Sequence, residues 1–270
     1  MQYLHVTCRD QNLYFIEHNC YESRGKSVAK LIKGACKDII LPDFNFLVNT
    51  GDHPGNIGPY SAFSFATTTE DFSKVAPDFL FDSWPEVQIN DYEELCEKLS
   101  SAGKSPYERD CIGWIGVPMV EVRKNLLSLS RLYPAIIDAI DMQWNRTDPR
   151  KLTSPKFMTL EQQVRKWKYL IDIEGCGWSA RLKTFLWSRR IIFMVDRPWK
   201  EWYFPGLKPW THYIPVQRDL SDLIKNYEII ESDRNLQNHI ISNSIEFANV
   251  NLCREAAIIR WRKLISCNFN

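Results

Sequence analysis

The stretch YLIDIEGCGWSARLKTFL, residues 169–186, decides the fold. Its apolar start, residues 169–173, predicts a strand, and Gly175 and Gly177 predict the turn that follows. Ser179 predicts the start of a helix, because a serine hydroxyl is a natural N-cap. The unpaired N–H groups and the dipole of a helix N-terminus favour anions, so strand, glycine turn and helix together predict an anion site.

Basic residues gather around this stretch. Arg181 and Lys183 fall in the first predicted helical turn, where the dipole disfavours cations unless an anionic ligand is bound. Residues 165–190 contain seven basic and two acidic residues, whereas the whole chain has 34 Lys+Arg against 33 Asp+Glu. The alternative is an ordinary strand-to-helix turn with a solvated basic face. The turn matches neither the Walker pattern nor G-x-G-x-x-G, which disfavours kinases and dehydrogenases.

Strand-like and helix-like segments alternate along the 270 residues. Strands are predicted at residues 3–7, 13–17, 44–49, 62–67, 111–116, 136–140, 169–173, 191–195 and 212–216. Helices are predicted at residues 27–37, 92–102, 120–132, 160–166, 179–187, 220–227, 235–250 and 252–267. This alternation predicts an α/β fold with parallel sheets and helices on both faces. The polar stretch 98–108 is the best linker candidate and predicts lobes at residues 1–105 and 106–251.

Composition bounds the class of protein. With 44% hydrophobic, 25% charged and 13% aromatic residues, the chain should fold throughout. A net charge of +1 disfavours a nucleic-acid partner. The eight cysteines lack zinc spacing, and no segment has the length of a membrane span or the pattern of a signal peptide. We therefore expect a cytoplasmic protein with free thiols.

Two further segments carry candidate functional residues. In FLVNTGDHPGNI, residues 46–57, Asp52 and His53 follow a predicted strand, and either can act as a general base. The alternative for Asp52 is a turn aspartate that bonds its own backbone. In LKPWTHYIPV, residues 207–216, prolines and aromatic residues predict a rigid loop before a strand, although core packing is the alternative.

These segments, in this order, resemble glycosyltransferase family 90, the protein O-glucosyltransferase and capsule-associated family. KYLIDIEGCGWSARLKTFLWS is similar to the family's strand, glycine turn and S-x-R-x-K helix, and LKPWTHYIPVQRDLSDL is similar to its P-W-x-H-Y-x-P-V element. NTGDHP resembles its N-x-x-D-x-P turn, and SAFSFATT and APDFLF resemble the elements after it. The resemblance runs from about residue 45 to the C-terminus.

The resemblance implies a GT-B-like fold, with two Rossmann-like lobes around an interlobe cleft and a final helix, 252–270, that crosses back onto the first lobe. It implies that Asp52 is the catalytic base of a single inverting displacement without a metal ion or other cofactor. The nucleotide-sugar residues would be Gly116, Arg123, Glu174, Gly175, Gly177, Trp178, Ser179, Arg181 and Lys183. The acceptor or sugar pocket would contain His53, Phe79, Trp210 and His212.

The partners implied are a UDP-sugar donor and a glycan or glycoprotein acceptor. The chain departs from the family pattern at Ile115, where the motif has an arginine. Because the chain is short and lacks a secretion signal, it is more similar to microbial or viral members, which would place it in the cytoplasm, including that of a host. By analogy with microbial glycan enzymes, xylose is favoured as the donor sugar and glucose is second.

Two other functions stay open. Asp172 and Glu174 follow a strand with D-x-D-like spacing, which is typical of a metal-dependent GT-A-type transferase. The missing motif arginine at position 115 would also fit a catalytically silent sugar- or nucleotide-binding module.

Overall fold

The structure, a computed structural model, describes residues 2–20, 22–52, 62–143 and 154–269. The chain divides into two compact units. Unit 1 consists of Met1–Glu93, Pro198–Pro205 and Asn251–Asn270, and unit 2 consists of Glu94–Arg197 and Gly206–Val250. The lobe boundary between residues 105 and 106 stays a prediction from linker composition.

Helices cover much of both units. They are α1 (Glu22–Ala35), α2 (Tyr92–Ala102), α3 (Glu121–Leu132), α4 (Leu160–Lys166), α5 (Leu182–Phe185), α6 (Leu223–Ser232), α7 (Arg234–Asn251) and α8 (Arg254–Phe269). Helices α2 and α4 have the predicted bounds. Helix α4 begins at a capping box, in which Thr159 accepts from the Gln162 backbone and the Gln162 side chain accepts from that of Thr159. No helix within the described ranges is long and apolar enough to cross a membrane.

Unit 1 contains a mixed sheet with the strand order β2-β1-β3-β4. The strands are β1 (Tyr3–Arg9), β2 (Asn12–His18), β3 (Phe44–Asn49) and β4 (Ala62–Phe63). Strand β1 is antiparallel to β2 and β3, whereas β3 and β4 pair in parallel. The prediction of a parallel sheet is therefore wrong for this unit. The reason is the two-residue turn at Asp10 and Gln11, whose φ angles of 48° and 64° close a hairpin between β1 and β2.

Unit 2 contains a parallel sheet with the strand order β6-β5-β7-β8-β9. The strands are β5 (Arg109–Gly116), β6 (Ile137–Asp141), β7 (Trp167–Asp172), β8 (Ile191–Val195) and β9 (Ile214–Val216). All four strand pairs are parallel, so the carboxyl ends of the strands meet at one edge of the sheet. The predicted α/β class is confirmed.

Helix α8 completes the core of unit 1 through Trp261, which is completely buried. Its ring lies 5.7 Å from that of Phe63 and 6.5 Å from that of Phe46, and the two phenylalanine rings are 5.1 Å apart. The indole N–H donates to the Pro77 carbonyl at 3.2 Å, so its polar atom is satisfied.

A glycine in strand β5 makes room for a tryptophan in the core of unit 2. Gly113 pairs with Asp138 of β6 and Leu170 of β7. A Cβ atom at Gly113 would lie 1.8 Å from the ring of Trp167, which is completely buried. The Trp167 indole also donates to Asp138 at 2.7 Å, so the ring cannot move aside without breaking that bond.

We expect Gly113→Ala to lower the free energy of unfolding by roughly 1–3 kcal/mol, because overpacking forces the indole or the strand to move. Urea unfolding of the purified variant measures this loss. Gly175→Ala is the matched control, since the nearest atom to a Cβ there is 3.4 Å away, an ordinary contact. Equal stability of the two variants would contradict the packing argument.

Candidate functional site

Charged side chains follow three neighbouring strands of the unit 2 sheet. Glu174 comes two residues after β7, Arg197 two residues after β8, and Arg218 two residues after β9. In parallel α/β sheets, ligands bind beyond the carboxyl ends of the strands. This edge of the sheet is therefore the place where the structure supports a ligand site.

The predicted helix start at Ser179 is wrong. Helix α5 is a single turn, and Arg181 occupies its N-cap position without a side-chain capping bond. The Ser179 hydroxyl instead donates to Asp172 Oδ1 at 2.7 Å, because a buried carboxylate competes for it. So short a helix does not support an anion site based on its dipole, and any anion affinity here must come from side chains.

A buried ion pair joins the ends of β7 and β8. Arg197 Nη2 lies 2.5 Å from Asp172 Oδ2 in an ion pair, and it donates a hydrogen bond to the Asp172 backbone carbonyl at 3.2 Å. Both side chains are almost completely excluded from solvent. Because Asp172 also accepts from Ser179, its carboxylate fixes the residues that follow two strands.

Three guanidinium groups surround this one carboxylate. Arg123 on α3 donates to the carbonyls of Val117 and Ile173, and burial, followed by repulsion from Arg181, lowers its pKa to about 10. Burial also lowers the pKa of Arg181; the Asp172 charge opposes this shift, whereas that of Arg197 adds to it. The edge therefore carries an excess of positive charge that is shielded from water at least in part, and an anionic ligand would compensate this charge.

Glu174 forms the second acidic position of the edge. Its Oε1 accepts from Arg218, and the Glu174 side chain is 5% exposed against 52% for the arginine. Glu174 Oε2 is buried and has no hydrogen-bond partner among the described residues. A buried carboxylate oxygen in this state can accept a hydrogen bond from a ligand hydroxyl.

A divalent cation does not fit the pair Asp172 and Glu174. Each carboxylate is engaged by an arginine, Asp172 by Arg197 and Glu174 by Arg218, and the two ion pairs would have to break before a metal could bind. Within the described part of the chain, no three His, Cys, Asp or Glu side chains form a group that could hold a metal ion. The arginines that engage the two carboxylates are hydrogen-bond donors of the kind that anions accept.

The remaining nucleotide candidates have different surroundings. A Cβ at Gly116 would lie 2.7 Å from the Trp114 ring, so this glycine makes room for an indole. Gly177 is buried and Gly175 is partly exposed beside Arg123. Lys183, predicted as a diphosphate donor, is completely buried, with its ammonium 3.1 Å from the Ala180 carbonyl and 5.0 Å from the centre of the Trp178 ring.

The loop before β9 is ordered by His212. Its Nδ1 accepts from the Lys208 backbone N–H at 2.9 Å, so the neutral ring carries its proton on Nε2. Burial and then the Lys208 charge lower the pKa of His212. Trp210 has a φ angle of 59° and packs against the core of unit 2. The predicted sugar contacts of Trp210 and His212 stay predictions.

In unit 1, Asp52 lies three residues after β3, and its side chain is 55% exposed. Arg24 of α1 donates to its Oδ1 at 2.9 Å. Phe79 is completely buried with its ring 4.6 Å from the Arg24 guanidinium, so it supports that arginine and presents no surface to a sugar. His53, predicted for the same pocket, lies outside the described residues.

The sequence did not predict that three arginines, Arg24, Arg197 and Arg218, lie at the candidate sites. Arg24 lies in the first turn of α1, which begins at Glu22 and not at the predicted residue 27, so the sequence analysis did not place this arginine on a helix. Arg197 and Arg218 each follow a strand closely, as ligand-binding residues of such sheets do. What the sequence does not show is their pairing, because Asp172 is 25 positions from Arg197 along the chain.

A parallel sheet with several arginines at its carboxyl edge defines an α/β protein with a candidate anion site at that edge. The family model described as glycosyl transferase family 90 matches residues 2–267. The chain belongs to this family, so its chemistry is glycosyl transfer, and the resemblance read from the motifs is confirmed.

Two relatives of the chain are O-glucosyltransferases by name, and the chain spans about two thirds of the length of each. The chain is 27% identical over 272 residues to protein O-glucosyltransferase 1 of Rattus norvegicus, which covers 93% of this chain and 68% of the relative. It is 28% identical over 258 residues to O-glucosyltransferase rumi of Drosophila melanogaster, with 83% and 60% covered. The crystal structure of TarM matches 60% of this chain and 36% of its own at 12% identity, with a TM-score of 0.43. That score is too low to support an argument.

We expect Asp172→Asn to lower the free energy of unfolding by roughly 3–5 kcal/mol, because it leaves Arg197 as a buried charge without its counterion. Chemical denaturation measures the loss, and adding Arg197→Met should recover part of it by removing the second charge. Glu161→Gln is the control, since its ion pair with Arg165 is partly exposed and contributes at most about 1 kcal/mol. If Asp172→Asn and Glu161→Gln lower the free energy of unfolding equally, Asp172 does not stabilise a buried charge.

Proposed function

We propose that this protein is an inverting, metal-independent glycosyltransferase that moves a sugar from a UDP-sugar to a hydroxyl of a protein or glycan. The observation that carries the proposal is the excess of buried and partly buried arginine charge around Asp172, at the carboxyl edge of a parallel sheet in a family 90 chain. A nucleoside diphosphate is an anion of the charge and size that such an edge binds.

The donor diphosphate binds to Arg123 and Arg181, which are partly exposed, and the buried Arg197 adds positive charge to the same edge. As the sugar bond breaks, negative charge grows on the leaving diphosphate, and donors fixed before the reaction stabilise it most. The hydrogen bonds of Arg123 and Arg181 to backbone carbonyls, and the ion pair of Arg197, hold these groups in place. Glu174 Oε2 accepts a hydroxyl of the bound donor, which satisfies its empty hydrogen-bonding position.

Asp52 acts as the general base in this mechanism. It takes the proton of the acceptor hydroxyl, the acceptor oxygen forms a bond to the anomeric carbon, and the bond from that carbon to the diphosphate breaks with its electron pair. One displacement on one face of the sugar inverts the anomeric configuration. Its half-exposed side chain supports this role, since a base that receives a proton from an acceptor must be accessible.

Glucose is our first choice of donor sugar. The names of both relatives favour glucose, and the name of the rat relative also favours a protein acceptor, whereas analogy with microbial glycan enzymes favours xylose. A panel of UDP-glucose, UDP-xylose, UDP-galactose and GDP-glucose, followed by UDP or GDP release and by thermal shift, separates these donors. We expect UDP-sugar turnover that is unchanged by EDTA. Loss of turnover with EDTA, restored by Mg²⁺ or Mn²⁺, would favour the metal-dependent alternative, and UDP binding without turnover would favour a silent module.

Two substitutions should separate donor binding from catalysis. We expect Arg181→Ala to raise the Kd for UDP roughly 10- to 100-fold, because a charge-assisted hydrogen bond contributes about 1.5–3 kcal/mol. We expect Asp52→Asn to keep the Kd for UDP but to lower turnover on the order of 100-fold or more. Calorimetric titration and steady-state kinetics measure the two effects.

Arg165→Ala is the control for Arg181, because it removes an arginine whose ion pair with Glu161 is partly exposed. It should leave UDP affinity unchanged. If Arg181→Ala binds UDP as tightly as this control, Arg181 does not hold the diphosphate. If Asp52→Asn turns over at the parent rate, another group is the base.

A further inference from the structure

We propose that Arg24 is the positioning residue of Asp52, and that it fixes the carboxylate in the orientation from which it accepts the acceptor proton. This inference rests on the proposed function, since it gives Asp52 the part of the base. Arg24 belongs to none of the motifs that the sequence singles out, and its assignment comes only from contacts within unit 1.

One nitrogen of Arg24 joins Asp52 to the end of its strand. Nη1 donates to Asp52 Oδ1 at 2.9 Å and to the Thr50 backbone carbonyl at 3.0 Å. Thr50 is completely buried, and its N–H donates to the Gln2 carbonyl at 3.0 Å beside the sheet. Arg24 therefore holds the Asp52 carboxylate in a defined position relative to the backbone that follows β3. The position of the carboxylate does not depend only on the rotamer of an exposed side chain.

Arg24 is itself held on several sides. It is buried, and its guanidinium lies 4.6 Å from the centre of the Phe79 ring and 5.4 Å from that of Trp84, within the range of cation–π attraction. Phe79 begins a short 3₁₀ turn in which Asp78 caps the Leu80 N–H at 2.8 Å. A planar cation placed against rings that are themselves fixed has little freedom to follow a moving carboxylate.

Arg24 and Asp52 differ in solvent exposure, and this difference determines what their ion pair can do. The side chain of Arg24 is 8% exposed, whereas that of Asp52 is 55% exposed. Surface ion pairs usually stabilise a fold by less than about 1 kcal/mol, because both side chains are mobile and solvated. Here one partner is immobile and the other meets solvent, so the contact mainly orders the exposed group. A misplacement of about 1 Å of a reacting group costs on the order of 100-fold in rate.

The position of Arg24 in helix α1 is electrostatically unfavourable for the helix. Arg24 is the third residue of α1, and a cation in the first helical turn is opposed by the helix dipole. Lys30, further along the same helix, pairs with Asp82 at 3.1 Å and is 67% exposed. The chain therefore offers two ion pairs on one helix, a buried cation beside the proposed base and an exposed one away from it.

The test compares Arg24→Met, Arg24→Lys, Asp52→Asn, the double variant Arg24→Met with Asp52→Asn, and Lys30→Met as the matched control. Each is assayed for UDP release from the best UDP-sugar of the donor panel, for the Kd of UDP, and for thermal unfolding. We expect Arg24→Met to lower kcat roughly 10- to 100-fold, with KM and the Kd for UDP within about twofold of the parent. Arg24→Lys should lose less, because it keeps the charge, and Lys30→Met should keep the parent kcat.

The double variant separates positioning from a general structural effect. If Arg24 acts through Asp52, Arg24→Met has no further effect on kcat once Asp52 is asparagine, whereas independent effects would multiply. Multiplying effects, or a folded Arg24→Met with the parent kcat, would overturn the proposal. If Arg24→Met does not fold, Arg24→Lys takes its place in the same comparison with the same two outcomes.

The assay also distinguishes this inference from the proposed function. A parent protein that releases no UDP from any UDP-sugar overturns both. A parent that turns over and slows on Asp52→Asn, while both folded Arg24 variants keep the parent kcat, overturns only the positioning role of Arg24.

Discussion

The candidate donor site depends on the ion pair between Asp172 and Arg197. Burying a charge costs several kcal/mol unless a counterion and hydrogen bonds replace water, and this edge of the sheet holds one buried guanidinium group, that of Arg197, and two partly buried ones, those of Arg123 and Arg181. Asp172 is the carboxylate that makes this possible, because it pairs with Arg197 and attracts Arg123 and Arg181. One negative charge does not neutralise three positive ones. The positive charge that Asp172 does not neutralise attracts an anion. The site therefore selects a ligand first by its charge.

Both units contain an arginine–aspartate ion pair near the end of a strand, and the pair has a different role in each unit. In each, a buried arginine pairs with an aspartate near the end of a strand, Arg24 with Asp52 three residues after β3 and Arg197 with Asp172, the last residue of β7. The difference is the exposure of the carboxylate. Asp172 is inaccessible and also bonded by Ser179, so its charge organises neighbouring groups, whereas Asp52 is half in solvent and open to a proton.

The sequence predicted what depends on local pattern. Strands β3, β5, β7 and β8 are apolar runs bounded by turn residues, and all four were placed within a few residues. The hairpin of β1 and β2 was missed as an antiparallel pair because its turn, Asp10 and Gln11, lacks the Asn-Gly or Asp-Gly signal. The start of α5 was misplaced because Ser179 has a choice between two acceptors. Local propensity favours a cap, and a carboxylate brought close by the fold competes for the same hydroxyl.

The departure at Ile115 has a physical meaning in this structure. Its side chain is 2% exposed and packs at the end of β5, while its backbone carbonyl accepts from Arg181 at 2.7 Å. Position 115 therefore still contributes to the site, because its backbone carbonyl orients Arg181, which follows the neighbouring strand β7. Arg123 and Arg197 bring two more guanidinium groups to the same edge. Positive charge is a property that several positions can supply to one edge of a sheet, and the loss of one motif arginine need not remove it. A backbone carbonyl that holds an arginine in place is insensitive to the side chain above it, so substitution at position 115 is the kind of departure this edge tolerates.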